Sequence, residues 1–596
     1  MNDQRQTHTR RADIDGLRAI AVLVVIFFHL GCLQAGYLGV DVFFVISGFL
    51  IIGIIYNEVV AGGFSLYAFY VRRIRRIIPL VLISELVSLL VGLLVMLPDD
   101  LENLAQSVFA TSIFANNILL NVTSGNYWSL PNDYKPLMHT WSLGVEEQFY
   151  FLIPLLFIVL KKQYVKLAIP LLVVLSSFSL WMFLLSKDPG SCFYLLPYRF
   201  FELGVGGVAA VLTREGLVKT RHPVFQYVAL ISLLILPLPI PNTLRLLAVV
   251  VVSGALLATD KGDEWISTRV FQNRIMVWIG RISFSLYMWH QIILAFARYC
   301  VVDKFDTAGT CAFFCVLIIV SAVSYYVIER PFQNSKMINV KSLFVITGGL
   351  FLIAVTGSLY IYAIAGIVRS VPELGVEPTA KLQNFGSSRR NTHIEYNARV
   401  YDFDRPFSED GTKIKVFVVG NSFARDFANI LLESRYRDRI DVSYKARVTG
   451  KCDNVNNDKR FREADIIVFS EQSVDEITAL SVGYGFDMEK VWCVGTKNFG
   501  INNGCVYNKK HDSEYALQRT AMKPGVLAEN DDLKRQWSGR YIDLISSVVD
   551  ENGRVPVFTP TGMFFSQDCD HLTREGAVEL AKRIDLDSVF GSSCRQ

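Results

Sequence analysis

Apolar residues come in long runs through the first 370 or so positions and then stop. Runs of near-spanning length lie at about 16–34, 38–60, 77–98, 146–160, 166–186, 199–213, 225–240, 243–258, 283–301, 308–329 and 342–366. A helix needs about twenty apolar residues to cross the hydrocarbon core, so the shorter runs require polar flanks or burial inside a bundle. A weaker run at 103–121 carries Gln106, Ser107, Thr111, Ser112, Asn116 and Asn117 and reads as re-entrant or interfacial. The pattern predicts eleven spans, with the two termini on opposite sides. The first run holds Asp15 and Arg18 at its start and no small-residue cleavage site, so it reads as a retained span rather than a signal peptide.

Past residue 370 the periodicity changes. Residues 371–412 are polar and punctuated by Pro372, Pro378, Gly386 and Pro406, the composition of a linker or packing extension. From 413 onward short apolar runs at 413–419, 440–446, 464–469, 489–494 and 555–559 alternate with amphipathic stretches. Strands alternating with helices predict a parallel sheet covered on both faces. The fold class expected is a helical polytopic membrane domain joined to a three-layer α/β domain.

Composition supports this division. Hydrophobic residues make up 52% of the 596 positions and charged residues 19%, against about 25% charged in soluble chains; the mean hydropathy is +0.34. An ordinary cytosolic enzyme and a disordered chain are both excluded. The net charge of +4 is too small to argue for a nucleic-acid partner. Ten cysteines occur without CxxC or Cys/His metal spacing, so no metal site is expected. Placing the N-terminus in the cytoplasm puts twenty Lys and Arg residues on inner segments and three, Lys135, Lys187 and Lys304, in outer loops before the last span, or seven with Arg199, Arg245, Arg298 and Arg369 at outer span ends. This follows the positive-inside rule and predicts an inner-membrane protein with its C-terminal domain in the periplasm.

Charged residues inside the spans are candidates for function because their burial is costly. Arg18 and His29 lie eleven residues apart on the first span, so they face the same way about 16 Å apart. Arg72, Arg73, Arg75 and Arg76 crowd the inner mouth of the third span. They suit either anionic lipid or phosphate groups, which guanidinium forks grip in pairs. Glu146 and Glu147 stand at the entrance of the fourth. A carboxylate that orients an imidazole makes a general base, although the sequence does not show that Glu146 meets His29.

These segments resemble the acyltransferase-3 family of membrane O-acyltransferases. The opening Asp15-Gly16-Leu17-Arg18 with His29, the string Gly39–Leu50, the arginine cluster ending at Pro79 and Trp141–Tyr150 carry the likeness. So do Tyr198–Gly204, Ile282–His290 and Ile328–Phe332. The resemblance covers about residues 11–335, leaving 336–370 as an additional span. It implies acetyl transfer from cytosolic acetyl-CoA, with Arg18, Arg72, Arg73 and Arg76 holding CoA phosphates. His29, supported by Glu146, would then act as base or transient acyl carrier. Gln291 follows His290 where many members carry Trp-Pro, and His290 is assigned no catalytic role on that ground.

In the polar half, Ser422 follows an apolar strand and opens a helix, a position surrounded by backbone N–H groups. Asp568 and His571, three residues apart at a loop-to-helix junction, can present an imidazole to that serine. In this order the residues resemble the SGNH hydrolase superfamily over about 413–590, with Gly420-Asn421-Ser422 where many members read Gly-Asp-Ser. The likeness implies oxyanion donors at Gly450 and at Asn498, with Asn502 close behind.

The two resemblances together imply a bacterial O-acetyltransferase. Acetyl-CoA is its donor, no permanently bound cofactor is expected, and the surrounding lipid is a partner. A lipid-linked O-antigen precursor is the first expected acceptor and peptidoglycan the second. A transporter, or an esterase tethered by its spans, are the readings of other classes.

Overall fold

The computed structural model describes residues 11–123, 132–218, 224–259, 267–300, 305–378, 382, 392–409, 411–446, 458–470, 472–509 and 514–591. They form two compact units. The first comprises Met1–Gly92, Leu104–Arg298 and Val302–Leu359, and the second Leu93–Asn103, Tyr299–Val301 and Tyr360–Gln596.

The first unit is helical. Among the described residues seven helices are long and apolar enough to cross a membrane: Gly36–Ala61, Leu66–Val95, Ala168–Leu185, Pro189–Arg214, Asn242–Thr259, Thr307–Gln333 and Val340–Ala363. The other four of the eleven expected runs are helices too, at Ala12–His29, Thr140–Tyr164, Val224–Ile235 and Ser283–Cys300. They fall short of that measure for visible reasons. The first carries Asp13, Asp15 and Arg18, and Val224–Ile235 is 12 residues long. The weak run at 103–121 is split into Pro98–Ser112 and Asn116–Thr123, with Phe114 between them at φ +55°.

Two helices cross closely at the centre of this unit, Gly39–Ala61 and Leu196–Arg214. A Cβ on Gly48 would sit 1.8 Å from the Leu203 carbonyl oxygen, and one on Gly206 would sit 2.0 Å from that of Val45. Small residues let helix backbones approach in this way where lipid supplies no hydrophobic drive. Beside the crossing, buried Arg199 donates to Asp41 at 2.9 Å and to Glu202 at 2.8 Å, tying the two helices by charge. Burial of the three side chains is tolerable because both carboxyl groups bond the one guanidinium.

The second unit is built on five parallel strands. We number the strands β1 (Ile414–Gly420), β2 (Ile440–Ala446), β3 (Ile466–Ser470), β4 (Val491–Val494), β5 (Arg519–Ala521), β6 (Tyr541–Ile542) and β7 (Arg554–Pro556). The sheet order is β2-β1-β3-β4-β6, with every neighbouring pair parallel. Four of the five apolar runs read from the sequence are strands of this sheet. The fifth, 555–559, is not. Its β7 pairs antiparallel with β5 in a separate ribbon, and the sheet's edge is β6 instead. Pro556 lacks the N–H that a central strand needs, which suits a ribbon edge.

The described residues of 371–412, expected to be a linker or packing extension, include apolar anchors. Val371, Leu374 and Val376 pack with Val557, Phe558 and Phe564, while Tyr396 and Val400 join the core under the helix Ser422–Glu433.

Candidate functional site

Several charged residues of the first unit line two adjoining cavities. One is lined by Arg18, Ser47, Arg73, Arg76, Ser142, Glu146, Tyr150 and Tyr287 among apolar residues. The other is lined by Arg11, Asp15, Arg18, Arg76, Arg281 and Glu329. Arg18 and Arg76 belong to both, so the helices Ala12–His29 and Leu66–Val95 each send a guanidinium to the shared wall.

The four neighbouring arginines divide by direction. Arg73 and Arg76, three residues apart on one helix face, reach the first cavity. Arg73 lies over the rings of Phe69 and Tyr150 at 5.9 Å each. Arg75 is buried and donates to the carbonyls of Phe332 at 3.0 Å and Ile338 at 2.7 Å. Arg72, expected to hold phosphate, lines neither cavity. It is exposed and pairs with Glu58 at 2.7 Å.

Glu146 enters the first cavity, but its carboxylate accepts from Ser47 Oγ at 2.9 Å and Tyr150 Oη at 3.0 Å. The expected support of His29 by Glu146 is therefore not among the described contacts. Both carboxylate oxygens are engaged by hydroxyls on the cavity wall, and His29 is absent from that wall.

His29 instead closes the end of its helix next to two other histidines. Its ring centroid is 5.2 Å from that of His290, and His290 is 5.3 Å from His139. Arg298 donates to the His29 carbonyl. Tyr287 joins cluster and cavity. Its ring lies 5.2 Å from that of His139 and 5.4 Å from that of His290, and the residue also lines the cavity. Its hydroxyl donates to the His139 carbonyl at 2.7 Å and so accepts from Ser142 Oγ at 2.6 Å. Sequence reading passed over His139, Tyr287, Arg281, Ser47 and the bond from Tyr150. Tyr287 and His290 lie within the segment Ile282–His290, but nothing in sequence spacing joins them to residue 29. Among the described residues no cluster of His, Cys, Asp or Glu could hold a metal ion.

In the second unit, β1 ends at Gly420 and the helix Ser422–Glu433 begins, capped by Asn421, whose side chain accepts from Phe423 N at 2.9 Å. A Cβ on Gly420 would sit 2.2 Å from Ser470 Oγ, so only glycine fits between β1 and the end of β3. This is where the strand order reverses, the usual ligand position in such sheets. Ser422 Oγ is buried and makes no hydrogen bond among the described residues.

Asp568 and His571 are joined as expected. His571 Nδ1 donates to Asp568 Oδ2 at 2.5 Å, and Asp568 Oδ1 also accepts His571 N at 2.7 Å. The loop is anchored on the serine's helix, since Leu572 N donates to Asp426 Oδ2 at 2.8 Å. The Ser422-to-imidazole bond is not made in this structure; such bonds commonly tighten only with substrate bound.

Asp426 is held by a residue no sequence pattern indicated. Lys497 pairs with it at 2.8 Å, both side chains fully buried, and also donates to the Asp570 carbonyl. Burial pushes the Asp426 carboxyl up, but Lys497, then His571 and Arg425, outweigh it and hold it below the ordinary value. Asp570 moves the other way, raised by burial despite Lys523 at 2.6 Å.

The oxyanion residues fare differently. Asn498 donates to Asp570 Oδ1 at 2.9 Å and to the Cys569 carbonyl at 3.3 Å. Both amide hydrogens are thus taken, and Asn498 braces the Asp568–His571 loop rather than presenting a donor. Asn502 Nδ2 is buried with no hydrogen-bond partner among the described residues. Gly450 lies outside the described residues.

A family profile described as an acyltransferase domain, acyltransferase-3, matches residues 11–329. The chain belongs to the acyltransferase-3 family. A Staphylococcus aureus protein provisionally named an O-acetyltransferase is 30% identical over 361 residues, which are 56% of this chain and 59% of that protein. The peptidoglycan O-acetyltransferase OatA of Listeria monocytogenes is 30% identical over 353 residues, 55% of this chain and 56% of its own length. A Haemophilus influenzae protein of no stated activity is 33% identical over 207 residues, 33% of this chain and 84% of that protein. The chain thus spans less than two thirds of the length of its Staphylococcus and Listeria relatives. No solved structure is a significant match. As a member of this family, the chain carries its acyltransferase region in the helical unit, where the arginine-lined cavities lie.

Proposed function

We propose that this acyltransferase-3 protein is an O-acetyltransferase that moves acetyl from cytosolic acetyl-CoA to a sugar hydroxyl of a cell-envelope glycan. The observation that carries the reading is the convergence of Arg18, Arg73 and Arg76 on one cavity beside Glu146, Ser142 and Tyr287. Three guanidiniums from two helices form a strong phosphate site, because each fork grips two oxygens of a phosphate at once. The hydroxyls and the carboxylate further in can orient a thioester. His29, on the same helix as Arg18, serves as the base or transient acyl carrier.

The second centre completes the transfer. The Asp568–His571 pair holds the imidazole with Nδ1–H donated, leaving Nε2 as the base for the Ser422 hydroxyl. Ser422 would take the acetyl and pass it to the glycan, in the manner of an SGNH hydrolase serine. The positive-inside asymmetry supports a periplasmic position for this half of an inner-membrane protein. A lipid-linked O-antigen precursor is the first acceptor. Peptidoglycan is the second reading, favoured by the name of the Listeria relative.

The deciding experiment is mass analysis of both envelope glycans from cells with and without the gene. Loss of acetyl from O-antigen supports the first acceptor and loss from peptidoglycan the second. No change in either sinks the reading.

A further inference from the structure

We propose that His290 is the positioning residue for His29: its bare Nε2 accepts the His29 ring proton and so leaves the other His29 nitrogen as the working lone pair. The inference rests on the reading of His29 as base or acyl carrier, and it gives His290 the part first expected of Glu146.

The tautomer of His290 follows from one contact. Its Nδ1 lies 2.6 Å from the Tyr287 carbonyl oxygen one turn back. A carbonyl can only accept, so Nδ1 carries the hydrogen. An uncharged imidazole then has a lone pair on Nε2. His290 is fully buried, and Nε2 has no hydrogen-bond partner among the described residues. An unpaired buried acceptor costs about 1–3 kcal/mol, and more than about 90% of buried polar groups avoid that cost. An orphan of known tautomer, in ring contact with the residue proposed to react, has a donor waiting for it.

Three side chains are close enough to consider. The Tyr287 hydroxyl already donates to the His139 carbonyl. His139 is as sealed as His290, at 1% exposure, and its ring sits beside the backbone carbonyls of Met288 and Pro136. Of His139 and His29 only His29 is half-buried, so it is the histidine that can meet a reactant. Its ring is tilted 50° to that of His290 at 5.2 Å, within reach of a short rotation. The arrangement repeats the logic of Asp568 and His571 with one change. An uncharged imidazole replaces the carboxylate, which avoids burying a second full charge among apolar helices.

The test compares two substitutions in the full-length protein in detergent, with membrane levels matched and free thiol release from acetyl-CoA as the readout. His290→Phe keeps volume and loses the lone pair; His290→Gln is a poorer filler but sets an amide oxygen near the Nε2 position. The proposal expects His290→Phe to lower kcat about 10- to 100-fold, as loss of an orienting partner does. KM should be unchanged, because Arg18, Arg73 and Arg76 are untouched. His290→Gln should recover most of the loss, and His139→Phe should lose less than His290→Phe. If His290→Phe equals or exceeds His290→Gln, the role is packing and the proposal is overturned. A loss for His139→Phe as large as that for His290→Phe also overturns it. Wild-type activity in His29→Ala, or no thiol release by the wild type, would instead overturn the reading of His29 or of the donor.

Discussion

At the residue scale, direction on a helix separates chemistry from anchorage. Arg73 and Arg76 reach the cavity, while Arg72 pairs with Glu58 and Arg75 holds two carbonyls. Arg73→Ala and Arg76→Ala should each abolish glycan acetylation with protein still present in the membrane. Arg72→Ala should stay near wild type, since an exposed ion pair is worth about 0–1 kcal/mol. Acetyl content of the glycan, scaled to protein level, checks all three. Lys497 offers a stability test. Lys497→Met leaves Asp426 buried without its nearest cation, and the second unit should lose about 3–5 kcal/mol, the cost of breaking a buried pair. The pH dependence has a definite sign. The Asp426 carboxyl is depressed in the folded state. Its stabilisation is therefore present above the unfolded value, about 3.9, and is lost as pH falls through the lower folded value. In Lys497→Met the carboxyl rises and acid unfolding should begin at higher pH, measured by intrinsic fluorescence.

At the scale of elements, the crossing of Gly39–Ala61 with Leu196–Arg214 depends on missing side chains and one guanidinium. Gly206→Val would set its Cβ 2.0 Å from the Val45 carbonyl oxygen, so the helix backbones must shift. Overpacking of this kind costs about 1–3 kcal/mol. Arg199→Met should cost more, because Asp41 and Glu202 would then face each other without a cation. Thermal stability in detergent should rank wild type above Gly206→Val and Gly206→Val above Arg199→Met; the reverse order of the two variants would show that packing outweighs charge there. In the α/β unit the same scale explains one misread strand. β6 is two residues long, too short for any periodicity to register. The run at 555–559 has strand composition but pairs outside the sheet.

At the scale of the whole molecule, the reading requires two chemical centres in one chain. A reporter active only in the periplasm, fused after Gln596, should be active; activity of a cytoplasm-only reporter at that point would end the eleven-span topology and the delivery scheme with it. His29→Ala should stop both thiol release from acetyl-CoA and glycan acetylation. Ser422→Ala should stop acetylation while thiol release persists in part. Wild-type glycan acetylation in Ser422→Ala would remove the second centre from the pathway.

Much of this was determined by the sequence alone. Runs of apolar residues dictate helices wherever backbone groups cannot reach water. Strand and helix periods dictate the α/β unit, and Arg18, His29, Arg73, Arg76, Glu146, Ser422, Asp568 and His571 were legible as candidates for the two proposed centres. Local patterns carry such information because they record which face of one element is buried. Pairing across elements is another matter. Only the tertiary structure decided that Glu146 bonds Ser47 and Tyr150, that His29 packs with His290, and that Asn498 braces a loop. Each of these contacts joins residues tens to hundreds of positions apart, except that between Glu146 and Tyr150. Their geometry is set by how close two backbones come, which depends on glycines and side-chain volumes that no single segment reports.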